Sequence, residues 1–487
     1  MRYLITETVL LKPHLETAGE IALQALNEGH QVEFAWLGKN LPWSDWNLPF
    51  LANVFGCSLK RRKIFFERLI ASKGVVINDN YNDEREWPRI INDWANDFNG
   101  NLEALMNYSY LGMPLGMGVA SSLISYTHNS CYDPKNDIDR TRKCLESALL
   151  VYLRAEKVIK NSNPDIVITF NGRFATSKPI VFAAERLKIK LLRHERGCNY
   201  SHYELFSDAI HNFDYIQNRI RETWNNTNPI ERNLLGHQFF EKRRAGDGIG
   251  WYSFTSEQKK GLILNRLTGK RRLVYFSSSD DEYAAVIDAY KPGPWPDQFS
   301  AVRDLIDAQK AWPNLELIIR IHPHLKNKST DERARWIMFK DLGITVIDAK
   351  DKIDSYALID SADLVASYGS TIGIEAAYWR KPSLLLGPCA YRDSGAVIVA
   401  KNKADIHRFL NPAFSPNLSD QENCLPYGCY FLSYGRKFKY YFPESLSEGR
   451  LLGLRLGWDP WLIYMMRKIG FGKLYRYSKQ LINSIKN

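Results

Sequence analysis

Two segments in the second half of the sequence combine residue types that can bind a phosphate group. In the first, His322 follows an apolar run and precedes Pro323, so its imidazole could donate a hydrogen bond to a phosphate or leaving-group oxygen. In the second, Ser370 and Thr371 could turn hydroxyl and backbone N–H groups toward an anion. Glu375 lies one helical turn later and could accept hydrogen bonds from both hydroxyls of a ribose. The ordinary alternatives are a capping histidine and an N-cap residue followed by a first-turn glutamate.

Two further polar segments follow apolar runs. Residues 277–279 are all serine and could contact a nucleotide, although serine-rich loops are common. In the first half, His194 and Glu195 end one apolar run, and Asn171 and Arg173 follow the preceding one. Glu195 could act as a general base toward an acceptor, or it could form an ion pair with a neighbouring arginine.

Strands and helices are predicted to alternate around these segments. Unbroken apolar or β-branched runs predict strands, and apolar residues at helical spacing predict helices. In the first half these are strands at 3–11, 31–38, 165–170 and 188–192, with helices at 15–26, 87–98 and 137–160 and one ending at 187. In the second half they are strands at 272–276, 315–321, 344–347, 363–366 and 383–386, with helices at 298–311, 331–341, 356–361 and 371–379.

This alternation is typical of parallel α/β sheets that are covered by helices on both faces. We therefore expect two Rossmann-like, doubly wound domains at 1–255 and 256–430, followed by a basic helical tail at 431–487. Ligands of such sheets bind beyond the carboxyl ends of the strands. All four polar segments lie at predicted strand ends.

Length and composition narrow the class of protein. A chain of 487 residues is too long for one hydrophobic core, and its 45% hydrophobic and 24% charged residues exclude wholesale disorder. The seven cysteines lack the spacing of a metal site or a disulfide framework, which predicts a reducing cytosol. We expect neither a signal peptide nor a membrane-spanning helix, because no apolar run approaches the roughly 20 residues that span a bilayer.

The positive charge is concentrated near the C-terminus. Residues 436–487 carry eleven Lys/Arg against three Asp/Glu, which is +8 of the chain's net +11. Aromatic and basic residues interleave at 436–442 and 458–468, a pattern that on short helices suits an anionic membrane surface. We expect this tail to bind the inner face of the cytoplasmic membrane, and packing back across the first domain is the alternative. Nucleic acid is not expected as a partner, because no nucleic-acid-binding motif accompanies the charge.

The segment Ile319-Arg320-Ile321-His322-Pro323, with Gly369 to Ala376 and Lys381-Pro382, resembles bacterial capsule-polysaccharide glycosyltransferases. That group includes Kdo transferases and, more distantly, sialyl- and polysialyltransferases. The resemblance implies the GT-B fold, in which two Rossmann-like domains face a central cleft, and a CMP-activated sugar as donor. It also implies that the His-Pro pair contacts the donor phosphate and that the Ser/Thr turn and Glu375 contact the donor. The group's acidic-acidic-glycine motif, which supplies its base, corresponds here to Glu195-Arg196-Gly197, with arginine in the second position.

The sequence therefore predicts a glycosyltransferase that uses neither a metal ion nor another cofactor. Enzymes of this fold usually stabilise the leaving phosphate with helix dipoles and basic side chains, and Asp280-Asp281-Glu282 is not placed like a metal-binding Asp-x-Asp pair. Glu195 and His322 are the expected catalytic residues. The expected donor-binding residues are Ser277, Ser278, Ser279, Arg320, His322, Pro323, Gly369, Ser370, Thr371 and Glu375, and the expected acceptor-side residues are Asn171, Arg173 and His194.

The expected partners are a nucleotide-sugar donor and a glycan or lipid-linked acceptor. Three other functions remain open for the same architecture: a nucleotide-sugar epimerase, a polyol-phosphate transferase and a non-catalytic polysaccharide-assembly protein.

Overall fold

The first domain is built on a largely parallel sheet. The computed structural model describes residues 1–10, 12–45, 62–78, 83–248, 255, 257–279, 284–286, 293–327, 330–414, 421–446 and 448–456. The sheet contains β1 (Arg2–Glu7), β2 (Gln31–Trp36), β3 (Val76–Ile77), β4 (Ile166–Phe170), β5 (Lys190–Arg196), β6 (His202–Phe206) and β13 (Arg436–Lys437). Within the described residues the strand order is β3-β2-β1-β4-β5-β6-β13. The pairs β5–β6 and β6–β13 are antiparallel, and the other pairs are parallel.

Helices cover this sheet on both faces. They are α1 (His14–Asn27), α2 (Trp87–Asp97), α3 (Leu102–Met106), α4 (Leu115–Thr127), α5 (Ile138–Ser162) and α6 (Lys178–Arg186). Successive residues of β1 point to opposite faces, so Leu4 packs with α5 and α6 while Ile5 packs with α1. Because both faces are covered, β4 is buried at all five positions, as its unbroken apolar sequence predicts.

The second domain repeats the same strand order. Its strands are β7 (Arg271–Phe276), β8 (Leu315–Arg320), β9 (Thr345–Ile347), β10 (Leu364–Ser367), β11 (Ser383–Leu385) and β12 (Ile398–Val399). They run β9-β8-β7-β10-β11-β12, all parallel. Its helices are α9 (Gln298–Gln309), α10 (Thr330–Ile337), α11 (Ser355–Ser361), α12 (Ile372–Tyr378) and α13 (Lys403–Leu410). The expectation of two Rossmann-like, doubly wound domains is confirmed.

The order of each sheet reverses between its first and fourth strands. These switch points lie between β1 and β4 in the first domain and between β7 and β10 in the second. At a switch point the connections on either side leave toward opposite faces, which opens a crevice at the carboxyl ends of the two strands. Two crevices are therefore the places to look for ligand sites.

Three helices join the domains: α7 (Phe213–Asn226), α8 (Pro229–Ala245) and α14 (Leu425–Ser433). Gly236 of α8 and Gly428 of α14 let these two helices touch, since a Cβ at Gly428 would lie 2.5 Å from the Gly236 carbonyl oxygen. The ring of Phe240 in α8 stacks on Tyr378 of the second domain, with centroids 4.1 Å apart. Helices α7 and α8 thus pack against the second domain, and the boundary at residue 255 stays a prediction.

The chain returns to the first domain after α14. The prediction of short helices at 436–442 is wrong, because this stretch forms β13 and the hairpin strand β14 (Tyr441–Pro443), which pairs with β15 (Gly449–Leu451). The buried carboxylate of Glu20 in α1 fixes it by accepting hydrogen bonds from the backbone N–H groups of Lys439, Tyr440 and Tyr441 at 2.7–2.8 Å. Residues 458–468, the second half of the predicted membrane-binding tail, lie outside the described residues. No helix in the described part of the chain is long and apolar enough to cross a bilayer.

Candidate functional site

The second sheet brings three of the predicted phosphate-binding segments together. Strand β7 lies between β8 and β10, so the residues that follow these three strands share one edge of the sheet. An open cleft lies at this edge, and the space within it, open solvent included, is about 630 Å³. Its lining includes six predicted donor-binding residues, Ser277, Arg320, His322, Pro323, Ser370 and Thr371.

The positions of Ser277 and His322 are coupled by hydrogen bonds. The His322 backbone N–H donates to Ser277 Oγ at 2.8 Å, and the Ser277 N–H donates to the Arg320 carbonyl oxygen at 3.1 Å. The His324 backbone N–H donates to His322 Nδ1 at 3.2 Å. Because Nδ1 accepts this bond, the proton of the neutral His322 ring lies on Nε2, where the ring can donate to a ligand oxygen.

The other two serines of the predicted triplet lie behind the cleft wall. Ser278 and Ser279 are each 7% exposed, and neither lines the cleft. Gln298 at the start of α9 fixes Ser278, accepting from its N–H at 3.0 Å and donating to its carbonyl oxygen at 3.2 Å. The predicted donor contact is thus supported by position for Ser277 and not for its two neighbours.

The two glycines of the turn after β10 serve close packing. A Cβ at Gly369 would lie 2.8 Å from the Pro388 carbonyl oxygen, and one at Gly373 would lie 2.5 Å from the Tyr391 hydroxyl. This hydroxyl donates to the Ser370 carbonyl oxygen at 2.5 Å. The missing side chains thus let Tyr391 hold the turn that presents Ser370 to the cleft, and Gly369 does not line the cleft itself.

The structure corrects the predicted role of Glu375. Its side chain is fully buried, and its two oxygens accept hydrogen bonds from Arg243 Nε at 3.1 Å, Thr371 Oγ1 at 3.0 Å and the Tyr356 hydroxyl. A carboxylate with these partners does not reach a ribose. It orients the cleft-lining residues Arg243, Thr371 and Tyr356 instead.

Arg243 is a cleft residue that sequence reasoning missed. It lies in the last turn of α8, far in sequence from the predicted donor-binding residues, and its Nη2 also donates to Thr371 Oγ1 at 3.4 Å. The negative charge of Glu375 raises the pKa of the Arg243 guanidinium, so Arg243 is a fixed cation at the cleft. No local pattern marks this residue, because only the packing of α8 against the second domain brings it to the site.

Arg320 supports the cleft wall from within. Its side chain is 1% exposed and donates to the carbonyl oxygens of Asp348 and Asp351 in the loop after β9. Burial lowers the pKa of Arg320 to about 10, so the guanidinium keeps its charge at neutral pH. The predicted donor contact of Arg320 stays a prediction.

On the first domain, Glu195 lies in β5 rather than after it. Strand β5 extends to Arg196 because β6 pairs with its last residues. Glu195 Oε2 accepts from Asn171 Nδ2 at 2.7 Å, and Glu195 Oε1 accepts from the Arg196 backbone N–H at 3.0 Å. The Arg173 guanidinium lies over the Phe174 ring and donates to Ser125 Oγ at 3.4 Å. Asn171 and Glu195 thus form one hydrogen-bonded unit.

His194 is fully buried, which corrects its predicted contact with an acceptor. Its Nε2 is hydrogen-bonded to Glu7 Oε1, and both side chains are at most 1% exposed. Burial raises the pKa of Glu7, and the neighbouring His194 acts against this. Glu7 was not predicted as a site residue, because the strand predicted at 3–11 placed it inside the strand, whereas β1 ends at Glu7.

Among the described residues there is no group of three or more His, Cys, Asp or Glu side chains that could hold a metal ion. Asp280, Asp281 and Glu282 lie outside the described residues.

Comparisons with known proteins give structural likeness only. No family model matches the sequence, and no curated protein matches it significantly. Two solved structures from Thermosulfurimonas dismutans, KpsC β-Kdo 2,7 and 2,4 transferases, are 14% and 12% identical, with TM-scores of 0.34 and 0.37. The matches cover 56% and 55% of this chain and 79% of each transferase. UDP-GlcNAc 2-epimerase from Neisseria meningitidis, bound to UDP-GlcNAc, is 11% identical over 88% of this chain and 97% of its own, with a TM-score of 0.26. Scores this low leave the choice between transfer and epimerisation to the site itself.

Proposed function

We propose that this protein is a glycosyltransferase that moves a sugar from a nucleotide-sugar donor, with a CMP-sugar favoured, to a surface-polysaccharide or lipid-linked acceptor. The observation that carries this proposal is the cleft at the second switch point. There a buried glutamate, Glu375, fixes the cation Arg243 beside His322 and the hydroxyls of Ser370 and Thr371. A cation, an imidazole donor and hydroxyl groups around one cleft suit a phosphate better than any neutral ligand.

In this proposal the cleft stabilises the departing phosphate. Charge develops on the phosphate oxygen as the bond to the anomeric carbon breaks, and preorganised donors lower the energy of that state. Arg243 supplies the positive charge, and His322 Nε2 supplies a hydrogen bond. The seven-residue helix α12 is short, so its dipole adds little beyond the side chains. Glu375 is a positioning residue here, since it contacts the cation and not the ligand.

The acceptor is proposed to enter from the first domain, where the family resemblance implies Glu195 as base.

The protein would work on the inner face of the cytoplasmic membrane. The side chains of Arg436 and Lys437 in β13 and of Lys439 just after it are exposed, while Phe438 between them packs into the first domain. This arrangement supports an anionic surface as partner.

A thermal-shift panel of CMP, CDP, UDP and GDP tests the donor site. Saturation at 100 times Kd stabilises a protein by about 2.7 kcal/mol, and we expect one of these nucleotides to do so. The variant Arg243→Gln should weaken nucleotide binding at least tenfold, whereas Arg244→Gln should not. Arg244→Gln is the matched control because it removes the same charge one residue along, from a side chain that pairs with Asp360 and does not line the cleft.

Removing Arg243 leaves Glu375 buried without its cation, so the double variant Arg243→Gln/Glu375→Gln keeps the test valid if the single variant fails to fold.

The absence of any nucleotide-induced shift in the wild type would contradict the proposal and favour a polysaccharide-assembly protein. Conversion of labelled UDP-N-acetylglucosamine to its 2-epimer without an acceptor would favour an epimerase instead. Transfer of a labelled polyol phosphate would identify a polyol-phosphate transferase.

A further inference from the structure

The first switch point holds a second cluster of polar side chains. Glu7 is the last residue of β1, and His14 begins α1 on the same edge of the sheet. The ring of His14 contacts that of Phe170, the last residue of β4, with centroids 3.8 Å apart. His14 therefore bridges the two strands between which the sheet order reverses, which is where open α/β sheets bind ligands.

Beneath His14 lies a buried pair with unused hydrogen-bonding capacity. Glu7 Oε2 and His194 Nδ1 are both buried and have no hydrogen-bond partner among the described residues. A buried polar atom without a partner costs about 1–3 kcal/mol, so its presence in a folded protein needs a reason. A site that completes its hydrogen bonds only when a ligand is bound is such a reason.

His14 is available as a base. Its side chain is 7% exposed, and its ring makes contacts with Phe170 and His194 but no hydrogen bond with any described residue. Burial lowers the pKa of His14 well below its usual value, with His194 and Arg196 adding to the effect. The imidazole is therefore neutral at pH 7 and can accept a proton. Glu195, in contrast, already accepts hydrogen bonds on both of its oxygens.

We propose that His14, rather than Glu195, takes the proton from the acceptor hydroxyl, and that the Glu7–His194 pair holds its ring in place. The inference deepens the proposed glycosyltransferase function and rests on it. As the O–H bond of the acceptor breaks, its proton goes to a ring nitrogen of His14 and its oxygen bonds to the anomeric carbon. The bond from that carbon to the phosphate oxygen breaks at the same time, and the electron pair leaves with the nucleotide. In this proposal the negative charge of the bound donor raises the basicity of His14.

The test measures nucleotide release and nucleotide binding in the same variants of the full chain. The probes are CMP-N-acetylneuraminate, CMP-Kdo and UDP-N-acetylglucosamine, with water as acceptor and spontaneous hydrolysis subtracted. We expect His14→Gln and His14→Ala to slow release 10²–10⁴-fold, the usual contribution of a general base. Their nucleotide-induced thermal shifts should equal that of the wild type, which also shows that they fold. Added imidazole should restore part of the rate in His14→Ala.

Two further variants sharpen the result. His30→Gln removes an imidazole that stacks on Tyr3 at the opposite, amino-terminal edge of the same sheet, and it should leave release unchanged. Glu195→Gln keeps the carbonyl oxygen that can accept from Asn171 and should slow release less than His14→Gln. The inference is overturned if His14 variants stay within threefold of the wild type, if imidazole fails to rescue, or if Glu195→Gln causes the larger loss. A wild type that binds a nucleotide but releases none from any probe also overturns it, whereas a wild type that binds no nucleotide removes the proposed function first.

Discussion

The two switch points of this protein place a buried glutamate in opposite circumstances. Glu375, in the second domain, has three hydrogen-bond partners and holds a cation at an open cleft. Glu7, in the first domain, has one described partner, His194, and an oxygen that is left without any among the described residues. Both side chains are at most 1% exposed. Burial alone therefore does not tell whether an acidic residue is structural or poised for a ligand.

The difference follows from what surrounds each carboxylate. A buried charge is tolerated when an opposite charge and hydrogen bonds replace water, and Arg243, Thr371 and Tyr356 do this for Glu375. The partner of Glu7 is the imidazole of His194, which carries a positive charge only when it is protonated. Burial raises the pKa of Glu7. This contrast supports the proposals that the second switch point binds an anion and that the first exchanges a proton.

The largest effect is expected where the carboxylate is fully paired. Glu375→Ala leaves Arg243 without its counter-ion and the Tyr356 hydroxyl without an acceptor, so it should lower the free energy of unfolding by about 3 kcal/mol. Urea unfolding at pH 7 measures this loss. Glu375→Gln keeps part of the hydrogen bonding and should lose less. A loss below 1 kcal/mol for the alanine variant would show that the pairing at the second switch point is unimportant.

Tyr356→Phe separates the hydrogen bond from the ion pair. It removes only the hydroxyl that donates to Glu375, and a bond to a charged acceptor contributes about 1.5–3 kcal/mol. We expect a loss of about 2 kcal/mol in the same unfolding experiment. Tyr200→Phe, at a side chain that is 42% exposed, is the matched control and should be neutral. Equal behaviour of the two variants would argue against a stabilising role for the Tyr356 hydroxyl.

The acid sensitivity of the first switch point can be measured through His14. Its pKa is lowered in the folded protein, so the unfolded chain binds the proton first and stability falls as pH drops below about 6.5. This stability is fully present above that pH. Between pH 7.5 and pH 5.5, we expect the free energy of unfolding of His14→Asn to fall by about 1 kcal/mol less than that of the wild type. His30→Asn is the control, and a wild-type acid response in His14→Asn would contradict the prediction.

The smallest change in the free energy of unfolding is expected for Glu7→Gln, in contrast with Glu375→Ala. The raised pKa of Glu7 means that its stabilising contribution is present below the unfolded value and is lost as pH rises through the folded value. A neutral amide avoids that loss and keeps an acceptor for His194. We expect Glu7→Gln to lie within about 1 kcal/mol of the wild type at pH 7 by urea unfolding. A loss as large as that of Glu375→Ala would show that both carboxylates are structural.

Much of the fold was predictable from local sequence. The apolar run at 165–170 and the helical spacing at 137–160 predicted β4 and α5 to within two residues, because strand and helix impose different periods on burial. The extension of β5 to Arg196 was missed, since it depends on pairing with β6. The strands at 436–451 were missed for the same kind of reason, because Glu20, far away in sequence, accepts their backbone N–H groups.

The sequence by itself determined that Ser277, His322 and Ser370 follow strands of the second sheet, and hence that they share one edge. Only the tertiary structure decided which of the polar residues line the cleft. A side chain's partners depend on elements that are distant in sequence, so Glu375 became the buried support of Arg243 and His194 the buried partner of Glu7. Strand and helix periods are local properties of a chain, whereas the desolvation and pairing of a charge are set by everything that packs around it.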